Sequence, residues 1–487
     1  MSIPGDGPTA ELAQWVARSP HLRRRRALNL ARDALQDITA CMVAGSSDEA
    51  AVSVARSARD WGTGRCSVVS RAPGFSAPAA ALANATAAHA LDYDDNFHPL
   101  AGHATAVLAP AVLAVGESLD ASGLDVLDAY VAGLEVQAVI GAGVNLVHYE
   151  RGWHSTSTVG TFGAAAACAR LQRLDAAGVA AALSLAFSMA GGSKLQFGTM
   201  AKPLHAGLAA QHGVMAAALA AGGLRGAAEP LAGPWGFRDL FAGNCSPGFA
   251  GGPIGRPLAL EKYGLKAKLH PCCASTHCAV DAMIQIRQEH GLAADDVARV
   301  EVLVNRVSFD NLRHNDPGTE LEARFSMQWC IALALLQGRL GLADFTPAAL
   351  ARPELRAWLP RIGMRQTEAG REHPTADNGR EPALTTVVLH DGRRLQRFVQ
   401  HPKGSLQAPL SAAQQEAKFR DCAPGCNSLR TLLVDLEAQA SIRPFMALLR
   451  KARPLRARTA PPQERTTSTS TSISISGRAR PLTTASV

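Results

Sequence analysis

The sequence predicts a mainly α protein, with a large all-helical domain into which a smaller α+β domain is inserted. Three observations predict it. Hydrophobic residues make up 47% of the 487 residues but aromatics only 5%, and Ala is abundant; Ala has the highest helix propensity, and its small side chain lets helices approach closely. Apolar positions recur at helical spacing through most of the first 225 residues. Strand-like alternation and a hairpin signal are confined to the stretch between about 266 and 405.

Residues 8–60 read as two or more helices. The block 78–225 is helical and broken by Gly- or His-rich loops near 96–102, 118–123, 149–157 and 191–198. Apolar spacing is clear in Val107, Val112 and Leu113, and again in Val126, Tyr130, Leu134 and Val136. A helix over 206–220 is entered through Lys202 and Pro203, because proline suits a first helical turn whose N–H groups are unpaired anyway.

The character changes after about residue 265. A helix over 278–290 precedes an alternating strand at 297–304. Segments 385–389 and 394–399 flank Asp391-Gly392, a pair that accommodates a tight primed turn. Segments 325–337 and 346–358 read as helices, and 408–450 returns to helix. The expected division is 8–265 for the first part of the helical domain, 266–405 for the insert and 406–450 for the return. The stretch 454–487 is a Ser/Thr/Arg-rich tail, too poor in apolar residues to order itself.

Charge and cysteine content narrow the function classes. The formal charge is +8, yet eight Lys/Arg and one acidic residue fall in 450–487, so the body is close to neutral. The run Arg23–Arg26 opens an apolar-periodic segment and reads as the solvated end of a helix. No nucleic-acid partner is expected. Ten cysteines are too few for a disulfide scaffold of this length. Cys272, Cys273 and Cys278, and Cys422 with Cys426, lack the spacing by which paired thiolates converge on one ion; no metal and no cofactor are expected. The first twelve residues lack a basic-then-apolar leader pattern, and no uninterrupted apolar run reaches the eighteen or so residues of a membrane span. A cytoplasmic protein without a membrane partner is therefore expected.

Four segments carry chemistry. His89-Ala-Leu-Asp-Tyr-Asp-Asp-Asn-Phe-His-Pro-Leu-Ala-Gly-His103 gathers three carboxylates and three imidazoles before a helix. Such groups suit acid–base work when neighbours tune their pKa values, although Asp and Asn in loops also serve as helix caps. Arg151-Gly-Trp-His154 leads through Ser, Thr and Gly into an Ala-rich helix, and a helix start of this kind can hold an anion. In Phe197-Gly-Thr-Met-Ala-Lys202-Pro-Leu-His205-Ala-Gly207 a lysine sits at a helix start, where the dipole is already positive. That placement makes sense if both attract an anion. Lys266-Ala-Lys268-Leu-His-Pro-Cys-Cys-Ala-Ser-Thr-His277 lies where the two expected domains meet, a common place for a cleft.

Together the segments nominate Asp92, His103, His154, Lys202 and Lys268 as catalytic candidates. Asn96, Thr158, His205, Cys273 and His277 are the substrate-contact candidates. Lysines can bind several carboxylates while histidines move a proton, which is what breaking a C–H bond beside a carboxylate requires. No phosphate loop, dinucleotide fingerprint or serine elbow is visible.

The His-Ala-Leu-Asp-Tyr-Asp-Asp block, Gly-Trp-His with Gly-Thr-Phe-Gly-Ala, Lys-Pro-Leu-His-Ala-Gly and Pro-Cys-Cys-Ala-Ser-Thr-His resemble the MmgE/PrpD family in order and spacing over roughly 10–445. The resemblance implies an all-helical domain, an α+β lid and a homodimer. It also implies metal-independent chemistry at a carbanion-like centre beside carboxylates: a 2-methylcitrate dehydratase-like lyase, with cis-aconitate decarboxylase-like or iminodisuccinate epimerase-like enzymes as alternatives. The decarboxylase pattern carries over at Asp92, His103, His154, Lys202 and Lys268. It departs at Cys273, aligned with a catalytic histidine, and at Trp329, aligned with a tyrosine. From another class, a non-catalytic carboxylate-binding protein on the same scaffold fits those departures.

Overall fold

The computed structural model describes residues 7–21, 24–61, 63–249, 252–368 and 381–454. Nearly all of the tail expected at 454–487 lies outside them.

The chain opens with helices α1 (Pro8–Arg18), α2 (Arg25–Gly45) and α3 (Glu49–Ala58), then a small hairpin of β1 (Thr63–Val68) and β2 (Arg71–Phe75). The hairpin is a feature that helical periodicity gave no reason to expect. Helices α4 (Ala77–His89), α5 (Thr105–Leu119), α6 (Gly123–Val144), the short α7 (Val147–Glu150), α8 (Ser155–Leu171), α9 (Ala176–Met189) and α10 (Ala201–Ala221) follow. Local chemistry sets several ends. Ser122 Oγ accepts from Asp125 N at 3.1 Å to start α6, and Asp175 Oδ1 accepts from Gly178 N at 2.8 Å to start α9.

Helix α10 packs most extensively on α4 and α8. Small residues make that closeness possible. A Cβ at Gly207 would stand 2.3 Å from Thr86 Oγ1 on α4, and one at Gly213 would stand 2.3 Å from the Ala164 methyl on α8. Every residue from Ala79 to His89 is buried, so α4 is surrounded on all sides rather than amphipathic. Helix α6 is long and apolar enough, by length and composition, to cross a bilayer, although Asp125, Asp128 and Glu135 interrupt its apolar run; 89% of that stretch is buried inside the protein.

Two hydrophobic cores are distinct. One joins residues from Leu12 to Leu260 with Phe419 to Ala452. The other runs from Cys272 to Val399. After the short α11 (Phe237–Ala242) and α12 (Ala259–Tyr263), helix α13 (Ala274–His290) begins the second. It covers a four-stranded sheet of order β4-β3-β5-β6, from β3 (Val297–Val304), β4 (Ile362–Gln366), β5 (Ala383–Leu389) and β6 (Arg394–Val399). In β3 the valines 300, 302 and 304 face the core, as period-two alternation requires, and a register shift between Val297 and Arg299 lets Val297 face it as well. β5 and β6 pair antiparallel with Thr386 opposite Gln396, around the Asp391-Gly392 turn. β4 pairs parallel with β3, Val300 opposite Ile362. The helix expected over 346–358 is instead two short pieces, Pro347–Leu350 and Pro353–Arg356, because Pro353 cannot continue a helix. All ten cysteines are free thiols.

Candidate active site

Four chain segments converge on one small cavity of about 40 Å3. The end of α4 delivers the first. Asp92 adopts a left-handed backbone (φ 51°) that turns the chain out of the helix, a conformation Asp tolerates better than most residues. Its Oδ1 receives Lys202 Nζ at 2.7 Å and lies 3.0 Å from Lys268 Nζ. Lys268 Nζ also donates to the Asp92 carbonyl at 2.6 Å. Burial pushes the Asp92 carboxyl up, but the two ammonium groups and the nearby imidazoles outweigh it and hold it well below the ordinary range. Lys268 is raised: burial lowers it, and Asp92 and Asp94 more than offset that.

Lys202 lies in the first turn of α10, where its charge opposes the helix dipole. The Asp92 carboxylate compensates it. Its ammonium also stands 5.1 Å from the Phe325 ring centre and 5.6 Å from that of Phe197, within reach of cation–π attraction.

Asp94 lies between two histidines, 3.0 Å from His89 Nδ1 and 2.9 Å from His103 Nδ1. The carboxylate that orients His103 is thus Asp94. Asp92 is 3.5 Å from His103 Nε2 and pairs with the lysines. Burial raises Asp94, but His103 and His89 outweigh it and lower its pKa. Burial lowers both imidazoles, His89 to about 4, against the pull of Asp94. The His103 backbone is pinned by donation to Thr156 Oγ1 at 3.0 Å, and Gly102 is needed beside it because a Cβ there would meet that oxygen at 2.6 Å.

His154 sits immediately before α8. Its N–H donates to the Gly192 carbonyl at 3.0 Å, its ring meets Phe197 edge-on at 5.0 Å, and its Nδ1 lies 2.9 Å from His205 Nδ1. Burial first, then His205 and Lys202, push its pKa well below that of a free imidazole. His154 and His103 therefore stand in the cavity as neutral bases at neutral pH.

Of the residues nominated from sequence, Asp92, Asn96, His103, His154, Lys202 and Cys273 line the cavity. Lys268 stands behind Asp92. Three substrate-contact candidates are placed elsewhere. Thr158 Oγ1 bonds His148 Nε2 at 2.7 Å, His205 backs His154, and His277 Nε2 lies 3.3 Å from the Cys272 carbonyl with its ring on His270. These three support the site's walls instead of lining it. Trp329 is fully buried in the second core with Nε1 donating to the Asp344 carbonyl at 3.2 Å, so its identity does not alter the cavity. Cys273 does face it, its thiol pushed up to about 12 by burial and then by Asp92.

The cavity also contains residues that sequence reasoning missed. Tyr149 OH donates to Asn311 Oδ1 at 3.3 Å, Asn311 Nδ2 to Ser275 Oγ at 3.2 Å, and Ser275 Oγ to Glu381 Oε1 at 2.6 Å. Tyr149 and Phe197 lay in or beside segments already singled out. Asn311, Phe325 and Glu381 carry no local signal and reach the cavity only through the fold of the second core. A roomier cleft of about 350 Å3 adjoins through Asn96 and contains Lys262, Lys266, His98 and His401; it lacks the paired lysine–carboxylate arrangement.

Could the site hold a metal? Among the described residues, His89, Asp92, Asp94 and His103 bring one donor atom each within 4.8 Å of one another. Asp92 is already balanced by Lys202 and Lys268, and Asp94 is engaged by His89 and His103. A divalent cation would bury uncompensated charge beside two ammonium groups, so the residues fit a metal poorly.

Comparison with known proteins identifies the family. The family model described as the MmgE/PrpD N-terminal domain matches residues 10–250, and that of the MmgE/PrpD C-terminal domain matches 270–439. Cis-aconitate decarboxylase of Homo sapiens is 32% identical over 363 residues, covering 70% of this chain and 71% of that protein. The Mus musculus protein of the same name is 30% identical over 424 residues, covering 81% and 83%. A cis-aconitate decarboxylase-like protein, oryM, of Aspergillus oryzae is 26% identical over 480 residues, covering 92% and 98%. Both halves of the chain, the helical core with its histidines and Lys202 and the second core with Cys273 near its start, match the same family in order: the chain belongs to the MmgE/PrpD family.

Proposed function

We propose that this chain is a lyase acting on a small di- or tricarboxylic acid by proton transfer next to a carboxylate. One observation carries the reading: a single buried cavity sets two neutral imidazoles, His103 and His154, beside an Asp92 carboxylate gripped by Lys202 and Lys268. The lysines supply positive charge for a carboxylate and for the enolate-like charge that develops when the adjacent carbon loses a proton or CO2. The imidazoles, kept neutral by burial, accept or return the proton. Asp92 holds the ammonium groups in place, so little reorganisation accompanies the reaction.

Within this reading, decarboxylation of a cis-aconitate-type acid is favoured by the names of the relatives and by the five shared positions. Dehydration of a 2-methylcitrate-type acid is the second reading, favoured by Cys273, which puts a protonated thiol where the resemblance aligns a decarboxylase histidine. The α+β portion serves as a lid, since it supplies Cys273, Asn311, Phe325 and Glu381 to the cavity lining. The enzyme works as a cytoplasmic homodimer without a cofactor.

Incubation in deuterated water with cis-aconitate, 2-methylcitrate and an aspartate-like diacid, followed by NMR, tests the reading. Product formation from one acid is expected, with deuterium at the carbon next to the carboxylate. Ligand-dependent thermal stabilisation with neither product nor exchange would assign the chain to carboxylate binding instead.

A further inference from the structure

We propose that His205 is a positioning and proton-relay residue for His154, carrying the proton between the cavity and solvent through a shared Nδ1–H···Nδ1 bond. The inference rests on His154 moving a proton in the reaction above.

The two Nδ1 atoms are 2.9 Å apart. Two imidazole nitrogens make a hydrogen bond only if one carries the hydrogen and the other does not. His154 lines the cavity, so its Nε2 is the nitrogen that must stay free to accept, and its hydrogen belongs on Nδ1. His205 then accepts at Nδ1 and carries its own hydrogen on Nε2. A histidine in a catalytic site is more often held in its tautomer by a carboxylate, as His103 is by Asp94. Among the described residues no carboxylate pairs with either His154 or His205. The groups acting on His154 are His205, Lys202, His89 and His103, none of them an acid. A carboxylate would stabilise an imidazolium in place, whereas a second neutral imidazole can take the proton onward.

The fold holds the pair at this distance. His154 precedes α8, His205 lies in the second turn of α10, and the two helices are in close contact at Gly213 and Ala164. Gly192, at φ 131°, lets the preceding loop close over the pair; a Cβ there would stand 2.8 Å from Ser157 Cβ and 3.5 Å from His205 Cε1. His154 is 1% exposed and His205 7%, so the second ring is the outer of the two.

The proton count closes. The substrate proton goes to His154 Nε2, the His154 Nδ1 proton passes to His205 Nδ1, and the His205 Nε2 proton leaves to water. The reverse sequence delivers a solvent proton to a carbanion or a departing hydroxyl and resets both tautomers.

The test uses the full-length chain as wild type, His205→Gln and His205→Phe. Glutamine can keep a hydrogen bond to His154 Nδ1 but cannot pass a proton on, and phenylalanine does neither. With 15N-labelled histidine, the wild type is expected to show one Nδ1–H and one Nε2–H neutral ring joined by a low-field shared proton, lost in His205→Phe. With the substrate found above, kcat is expected to fall at least ~10-fold in both variants, the lower end of what a positioned proton-transfer group supplies or somewhat below. KM is expected to stay within ~3-fold, because substrate binding is untouched. The ratio of solvent deuterium exchange to turnover should fall in both. Two independent Nε2–H rings in the wild type, or unchanged kcat and exchange in His205→Gln, would overturn the relay. If the wild type turns over none of the acids, the lyase reading fails, and the NMR pattern alone still decides whether the two rings share a proton.

Discussion

Lys202 Nζ lies 2.7 Å from Asp92 Oδ1, although 110 residues separate the two in the chain. Both side chains are almost fully buried, and Lys268 approaches the same oxygen at 3.0 Å. A buried ion pair costs much to break because one charge is left without its partner, and much less to remove as a whole. Asp92→Asn, which leaves two buried ammonium groups without their carboxylate, should therefore destabilise the protein by about 3–5 kcal/mol. Lys202→Met leaves Asp92 with Lys268, so it should destabilise less and should cost at least about a hundredfold in kcat/KM. Asp92→Asn with Lys202→Met should recover only part of the stability and none of the activity, because Lys268 stays buried without its carboxylate. Chemical denaturation alongside steady-state kinetics checks both halves; a double variant as active as wild type would remove the pair from the mechanism.

Asp94 separates orientation from charge supply. Asp94→Asn keeps the shape between His89 and His103 but permits the amide to donate, so His103 no longer needs its hydrogen on Nδ1. Turnover is expected to drop by roughly 10²–10⁴-fold, as when a buried orienting carboxylate behind a catalytic histidine is neutralised. Substrate binding, measured by calorimetry, should change far less. Equal losses in both would make Asp94 a purely structural residue.

Asp95 gives a pH signature of opposite sign to that of a salt-bridged carboxylate. It accepts from the Thr105 hydroxyl and N–H, and burial first, then Asp94 and Asp37, push it up to about 7 against the Thr105 hydrogen bond. An unfolded Asp titrates near 3.8. The folded state thus binds more protons between those values, and stability from this group is present below about 3.8 and lost as pH rises towards 7. Asp95→Asn cannot ionise. Its melting temperature relative to wild type should climb between pH 4.5 and 7.5 by ~3 °C or more, given that ~1 kcal/mol moves a domain of this size by a few degrees. A constant difference across that range would place the Asp95 pKa at its ordinary value.

Gly207 tests why α10 can carry Lys202 and His205 so close to α4. A methyl there would meet Thr86 Oγ1 at 2.3 Å and the Leu82 carbonyl at 2.7 Å. Backbone cannot yield as a flexible side chain does, so Gly207→Ala is expected to destabilise by about 1–3 kcal/mol, despite the better helix propensity of alanine. Activity at low temperature should fall with it, because the helix carrying Lys202 must move. Unchanged melting and turnover would show that α4 and α10 separate freely.

What the sequence alone determined is what depends on local pattern. Helical periodicity and alanine content marked the helices of the first core, the Asp-Gly turn marked β5 and β6, and the density of His, Asp and Lys in four short segments nominated six of the fourteen residues that line the cavity. Local pattern could not say which carboxylate faces which cation, because that depends on a 110-residue separation closed by helix packing. So Asp92 went to the lysines and Asp94 to the histidines, and Thr158, His205 and His277 moved behind the walls. It also could not place Asn311, Phe325 or Glu381, ordinary residues until the second core brings them beside His103. Trp329 shows the converse: a position aligned with a tyrosine of the decarboxylase pattern is core, since only tertiary packing decides which side of an element meets the cavity and which meets other side chains.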